Sequence, residues 1–302
     1  MTSQLDFKCV KDLDEAKKLW EIFSPNKTIF DSWDFRYCFY KYFKYELFFY
    51  VTYDGEIPVA LMPLQYNSDK KYLEFFGGYY MEDNQVFVKS PEFKYLIPEF
   101  YKNIQGLSQP STLIYIRSND DFTSTLPFQV NKYVLSLDGI TNIEDYLSQR
   151  LDQEARGKFR RKIRKIEQEK VEITENEVTD LEVMFNYNLE KFQDHSYFTT
   201  PFSQEIFRDL VAIGYKIHIM SFSINGIKEA TSFALTYKDN YAYLNLGVKP
   251  GGTQNLTTFV HMKNLEKAIS EKLNVFDAFI GDYGWKEHWH LDKIPQYQFI
   301  KP

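Results

Sequence analysis

Residues 216–237 read KIHIMSFSINGIKEATSFALTY, and residues 46–66 read ELFFYVTYDGEIPVALMPLQY. The two stretches are copies of one pattern, about 170 positions apart. Each is an apolar run, a two-residue turn signal (Asn225-Gly226 or Asp54-Gly55) and a second apolar run. Asn-Gly and Asp-Gly tolerate the positive φ of a tight primed turn, so both stretches are predicted to be β-hairpins.

The self-similarity extends in both directions from the hairpins. A third strand follows each, YLEFFGG ending at Gly78 and YAYLNLG ending at Gly247. Next come helical stretches, SPEFKYLIPEFYKNI and LTTFVHMKNLEKAISEKL, and then strands STLIYIRS and NVFDAFIG. A helical segment precedes each hairpin, WDFRYCFYKYFK or FSQEIFRDLVAIG. The predicted unit is helix, three antiparallel strands, helix, strand, used twice. This is an α+β class with three layers. Between the copies, the strand KYVLSLDG leads into residues 142–170, free of proline and rich in helix formers. That stretch is predicted to be one long helix, broken near Gly157. The expected domains are residues 1–138 and 139–302.

A chain of 302 residues has room for two such cores. A net charge of −6 argues against a nucleic-acid partner. Cys9 and Cys38 make neither a disulfide framework nor a metal cluster. Neither a signal-peptide core nor an uninterrupted run of about 18 apolar residues is present, so the expectation is a cytoplasmic protein without a membrane span. The aromatic share of 18% has two readings: cores filled with Phe and Tyr, or an aromatic-lined pocket. The five histidines show no metal-ligand spacing, and no metal is expected.

The order of elements resembles GNAT acyltransferases. The whole chain resembles the tandem-GNAT family related to CelD, with its BioF2-like acetyltransferases, and more distantly the FemAB-type transferases. Four stretches carry the likeness: 72–88 (YLEFFGGYYMEDNQVFV), the connector 133–150 with 157–173, 246–269 (LGVKPGGTQNLTTFVHMKNLEKAI) and 279–289 (FIGDYGWKEHW). The resemblance implies two tandem GNAT-like domains. The second would hold an acyl-CoA, acetyl-CoA in the first instance, and pass its acyl group to an amine or hydroxyl of a small-molecule or sugar acceptor. The first would be a degenerate copy on the acceptor side. The alternatives are a FemAB-type aminoacyl-tRNA-dependent transferase and an inactive GNAT pair serving as a binding protein.

Acyl transfer needs a seat for the donor's phosphates, donors that polarise the carbonyl, and a base. Gly251, Gly252, Thr253 and Gln254, opening a helix that Asn255 or Thr257 caps, suit the phosphates. An ordinary Pro-Gly turn is the competing reading, and Lys249-Pro250-Gly251-Gly252-Thr253 stands where the family has Gln/Arg-x-x-Gly-x-Gly/Ala. The resemblance places the thioester carbonyl along the strand edge that includes Leu246, Gly247 and Val248. Asp282, at a strand end, is the candidate base, and Tyr283 the fallback acid for the leaving thiolate. Lys286 matches a lysine that FemAB-like transferases hold near the reacting carbonyl. Trp285 and Trp289 would exclude water. Seven cations crowd residues 156–165. A solvated, salt-bridged face is one reading; the other gives Arg160 and Arg164 a phosphate-binding role. In the first domain Asp83 and Asn84 are candidates to hold the acceptor, against a plain acidic turn.

Overall fold

Both hairpins form in the computed structural model, which describes residues 7–118, 120–281 and 284–302. Asn225 and Gly226 take φ of 52° and 81°, the positive values that the centre of a primed turn requires. In chain order the first elements are β1 (Lys8–Val10), α1 (Leu13–Phe23), α2 (Trp33–Phe43), β2 (Glu46–Asp54) and β3 (Ile57–Asn67). They are followed by β4 (Tyr72–Phe75), β5 (Phe87–Val88), α3 (Leu96–Gly106), β6 (Ser111–Arg117) and β7 (Phe128–Ser136). Then come α4 (Ile143–Arg150), α5 (Gln153–Glu167), β8 (Val171–Glu175), α6 (Leu181–Phe192) and α7 (Pro201–Ala212). The chain ends with β9 (Lys216–Ile224), β10 (Ile227–Tyr237), β11 (Asn240–Val248), α8 (Leu256–Ser270), β12 (Val275–Ile280), α9 (Trp285–His288) and β13 (Asp292–Lys301).

Two units result: Met1–Lys132 with Ile294–Pro302, and Tyr133–Lys293. The division therefore lies at 132/133, inside β7, rather than at 138/139. The chain's last strand also returns to the first unit, where Gln296 to Lys301 pair antiparallel with Arg117 to Ser111 of β6. In the first unit the strands lie in the order β1-β2-β3-β4-β6-β13, with β5 also on β3. Alternation along β2 explains its unbroken apolar run. Leu47, Phe49 and Val51 face the Trp20 and Trp33 cluster under α1 and α2, while Phe48 and Tyr50 face the cluster under α3. A strand buried on both faces has no polar side to show. Trp20 meets Trp33, Phe76 and Phe87 edge-on at 5.2–6.2 Å, so much of the aromatic content is core.

In the second unit the order is β7-β12-β11-β10-β9-β8, with β11 to β8 antiparallel and the pair β11–β12 parallel. Helices α4, α5 and α8 cover one face through Tyr146, Phe159, Ile163 and Leu265. The predicted long helix is two helices. The break falls at Leu151-Asp152, because the Asp152 side chain accepts from Ala155 N–H at 2.8 Å and starts a new helix. Gly157 lies inside α5 with open space around it and no positive φ. Gly157→Ala is accordingly expected to stabilise the protein by about 0.5–1 kcal/mol, read as a raised denaturation midpoint at unchanged m-value.

Candidate active site

The second unit's strands β11 and β12 part. They pair in parallel at Asn240–Val275, Tyr241–Phe276 and Ala242–Asp277, and among the described residues their register ends there. Beyond it, β11 continues on β10 alone as far as Val248. The cause is local. Asn245 opposes Phe233 and Tyr243 opposes Ala234, which leaves Leu244 as one extra residue, a β-bulge that bends the strand where its neighbour departs. On the other strand, Phe279 takes a φ of 61° and its N–H donates to Asp277 Oδ1 at 3.0 Å. Lys286, 3% exposed, reaches back to the same strand end, donating to the carbonyls of Phe279 (2.9 Å) and Ile280 (2.5 Å).

Leu246, Gly247 and Val248 lie on the parted length of β11. Gly247 has a packing reason for its identity: a Cβ there would stand 2.5 Å from Met184 O and 2.6 Å from Met184 Cα, in the backbone of α6. From the same helix, Asn188 donates to Asn245 Oδ1 (3.1 Å) and Leu246 O (3.2 Å).

The segments that follow the two parted strands help line a cavity of about 560 Å³. Gln254, Asn255 and Thr258, at the start of α8, line one side. Trp285, His288, Trp289 and His290 line another, and α5 adds Lys158, Arg161, Lys162 and Lys165. The first turn of α8 presents main-chain N–H groups and the positive end of a fifteen-residue helix. Asn255 holds the N-cap position at φ 70°, yet its side chain does not cap the helix. Behind Trp285, His261 is 3% exposed and stacks on the indole at 3.9 Å. Its Nδ1 lies 3.1 Å from Tyr243 Oη. Burial, then the charge of Lys286, lowers its pKa to about 3, so the ring is neutral and supports the Trp285 wall.

The cationic edge differs from the expected pair. Arg160 pairs with Glu144 and does not line the cavity, and neither does Arg164. The cavity takes the cations on the opposite edge of the helix. The loop before α8 differs too. Gly252 N–H donates to Lys249 O (3.1 Å), and Thr253 N–H donates to Glu229 Oε2 (2.7 Å). Glu229, 8% exposed on β10, thus occupies an amide expected to meet the donor's pyrophosphate. Sequence reading missed it because its loop partner lies 24 residues away.

Asp83 and Asn84 do not form an open acceptor site. Asp83 is 4% exposed and pairs with Lys132 (2.5 Å) and Arg117 (2.9 Å), and it accepts from Gln296 Nε2 at 3.0 Å. Asn84 accepts from Arg36 Nη1 (2.9 Å) and donates to the carbonyls of Met81 (2.6 Å) and Ile114 (2.9 Å). Its main chain also occupies the edge of β6: Asn84 N–H donates to Tyr115 O, and Arg117 N–H to Asn84 O, both at 2.9 Å. In this unit the chain itself takes the strand edge that stays open between β11 and β12. Asp282 and Tyr283 lie outside the described residues. Among the described residues, no cluster of three or more His, Cys, Asp or Glu side chains is arranged to hold a metal, and no helix is long and apolar enough to cross a membrane.

Residues 153–287 match the family model described as an acetyltransferase (GNAT) domain. No curated protein sequence matches the chain. Solved structures share its fold along nearly the whole length. FemX is 9% identical with a TM-score of 0.62, covering 97% of this chain and 96% of its own. A tandem GNAT protein from the clavulanic acid biosynthesis pathway is 10% identical with a TM-score of 0.57, covering 98% and 97%. L-PGS from Bacillus licheniformis is 11% identical with a TM-score of 0.59, covering 95% and 91%. The parted strands, the matched domain and the shared fold agree: the chain has a tandem GNAT-like fold of the α+β class, and its residues 153–287 resemble a GNAT acetyltransferase domain.

Proposed function

We propose that the second unit, residues 139–302 in the sequence-based division, is the donor-binding and catalytic half. It takes an acyl group from a pantetheine thioester, of which acetyl-CoA is the simplest common form, and passes it to an amine or hydroxyl of a small-molecule or sugar acceptor. The observation that carries this reading is the opening of β11 from β12 at the Leu244 bulge, beside a cavity with a cationic wall lined by the segments that follow the two strands. The arm of the donor lies along the parted edge at Leu246 to Val248. Main-chain N–H groups there meet the carbonyl oxygen as negative charge develops. The acceptor nitrogen or oxygen attacks the carbonyl carbon, the C–S bond breaks, and its electron pair leaves on sulfur. Asp282 takes the acceptor's proton, and Tyr283 supplies one to the thiolate. Lys286 fixes the end of β12, Trp285 closes the wall, and donor phosphates meet Thr258 and the α5 cations. Asp282→Asn is expected to lower kcat about 10²–10⁴-fold with little change in donor affinity.

Binding is tested by thermal denaturation with acetyl-CoA, free coenzyme A and acetyl-phosphopantetheine. A donor held at 100 times its Kd stabilises the fold by about 2.7 kcal/mol. If none of the three moves the transition at millimolar concentration, the reading is wrong. The α5 cations Arg161, Lys162 and Lys165, which have no ion-pair partner among the described residues, favour one alternative, an aminoacyl-tRNA donor. Salt-dependent binding of charged tRNA, without any response to pantetheine donors, would establish it.

A further inference from the structure

Three observations, resting on the donor reading above, narrow the kind of donor. The first is the sealed loop. Glu229 fastens it twice, accepting from Lys249 N–H through its main-chain carbonyl (2.8 Å) and from Thr253 N–H through its carboxylate (2.7 Å). A Cβ on Gly252 would stand 2.9 Å from the same carboxylate, so the contact is close-packed. A pyrophosphate at this loop finds those N–H groups taken and a like charge beside it. The second is the neighbouring start of α8, where Thr258 and the α5 cations offer room for an anion on the far side of the loop. The third is the surface around the cavity mouth. Lys158 pairs with Glu154 and Arg160 with Glu144. Arg161, Lys162 and Lys165 are exposed, and no acidic partner is paired with them among the described residues. Three such cations on one edge of one helix stand out on a chain whose net charge is −6.

We propose that the acyl group arrives on an acidic carrier protein, through a 4′-phosphopantetheine arm. The α5 cations dock the carrier, and the arm's single phosphodiester sits at the start of α8. Glu229 selects against the pyrophosphate of coenzyme A. A small acidic domain touches the cationic edge alone. An extended polyanion such as RNA would run on from the patch onto a surface of net negative charge, with Glu154, Glu167 and Glu169 on α5 and just beyond it. Transfer balances as before: the bond from acceptor to carbonyl forms, the C–S bond breaks, and the carrier leaves with its thiol restored.

The test measures the affinity of the full chain for an acidic acyl carrier protein loaded with acetyl-phosphopantetheine, for acetyl-CoA, for free acetyl-phosphopantetheine and for a transfer RNA. The loaded carrier is expected to bind at least about tenfold more tightly than acetyl-CoA. Arg161→Glu with Lys162→Glu should weaken the carrier at least about tenfold and affect free acetyl-phosphopantetheine less. Glu229→Gln should narrow the gap by tightening acetyl-CoA. Acetyl-CoA binding as well as the carrier, carrier affinity unmoved by the charge reversal, or tRNA binding more tightly than the carrier would each overturn the proposal. If acetyl-CoA still binds, the pantetheine reading survives; if no pantetheine donor binds, both fall.

Discussion

Replacing Asp83 with leucine is expected to destabilise the first unit by about 3–5 kcal/mol, the cost of stranding a buried charge. Its carboxylate lies among Lys132, 3% exposed, and Arg117, with Gln296 Nε2 as a further donor. Removing it takes a counter-ion from the ammonium of Lys132 and from Arg117 in the interior. Asp83→Leu combined with Lys132→Met should recover a good part of the loss, because an apolar pair of similar volume replaces the ion pair. The titration points the same way. Burial by itself raises the Asp83 pKa, but the charges of Lys132 and Arg117 outweigh it and hold the carboxyl well below the usual range. A carboxyl depressed in the folded state contributes stability that is fully present above its unfolded pKa, about 3.9, and is lost as the pH falls below that value. Urea midpoints between pH 6 and pH 2 should therefore show a steeper acid loss in the wild type than in the double variant. Equal slopes, or a single variant as stable as the wild type, would remove Asp83 from its structural role.

The duplicated architecture was legible because its signals are local. Asn225-Gly226, Asp54-Gly55 and the alternating or doubly buried runs beside them report turn and strand without any knowledge of the other half of the chain. The break before α5 was also written locally, as Asp152 three residues before Ala155, but the helix-forming composition around Gly157 outweighed it in the reading. The helix phase was recoverable as well. Phe159, Ile163 and Ile166 set the buried stripe. At about 100° per residue, Lys158, Arg161, Lys162 and Lys165 then fall to one side of it, and Arg160 and Arg164 to the other. Which side faces a cavity depends on α8 and α9 and is not a property of α5. Burial of Asp83 was out of reach for a similar reason. Its partners are 34 to 213 residues away, and nothing around MEDN distinguishes an ion-paired core residue from an acidic turn.

The two halves differ in one strand. β4 has four residues and pairs with β6 only at Leu73–Ser111, after which Asn84 brings the chain back onto that edge. β11 has nine, bulges at Leu244, and keeps its edge clear of β12. A buried strand edge needs hydrogen-bond partners. In the first unit the chain supplies them to β6. In the second, Asn188 satisfies Leu246 O, and the proposed donor arm meets the rest.

Gly247→Ala tests whether that opening depends on α6. The added Cβ would meet Met184 O at 2.5 Å, Cα at 2.6 Å and C at 2.9 Å, all main-chain atoms that no rotamer change can move aside. Helix and strand must separate, and overpacking of this kind costs about 1–3 kcal/mol, or more where the neighbour is backbone. The loss should not stop at stability. Displacing α6 pulls Asn188 from Asn245 Oδ1 and Leu246 O, which frees a buried carbonyl to seek another partner on the edge where the donor is proposed to lie. The folded fraction of Gly247→Ala is therefore expected to bind acetyl-phosphopantetheine at least about tenfold more weakly, roughly the effect of one lost or misplaced hydrogen bond. Gly157→Ala, with open space at its Cβ, serves as the control that should gain stability and keep its affinity. A Gly247→Ala protein as stable as the wild type would mean that α6 and β11 do not pack this closely. One that is destabilised yet binds normally would separate the packing of α6 from the donor edge.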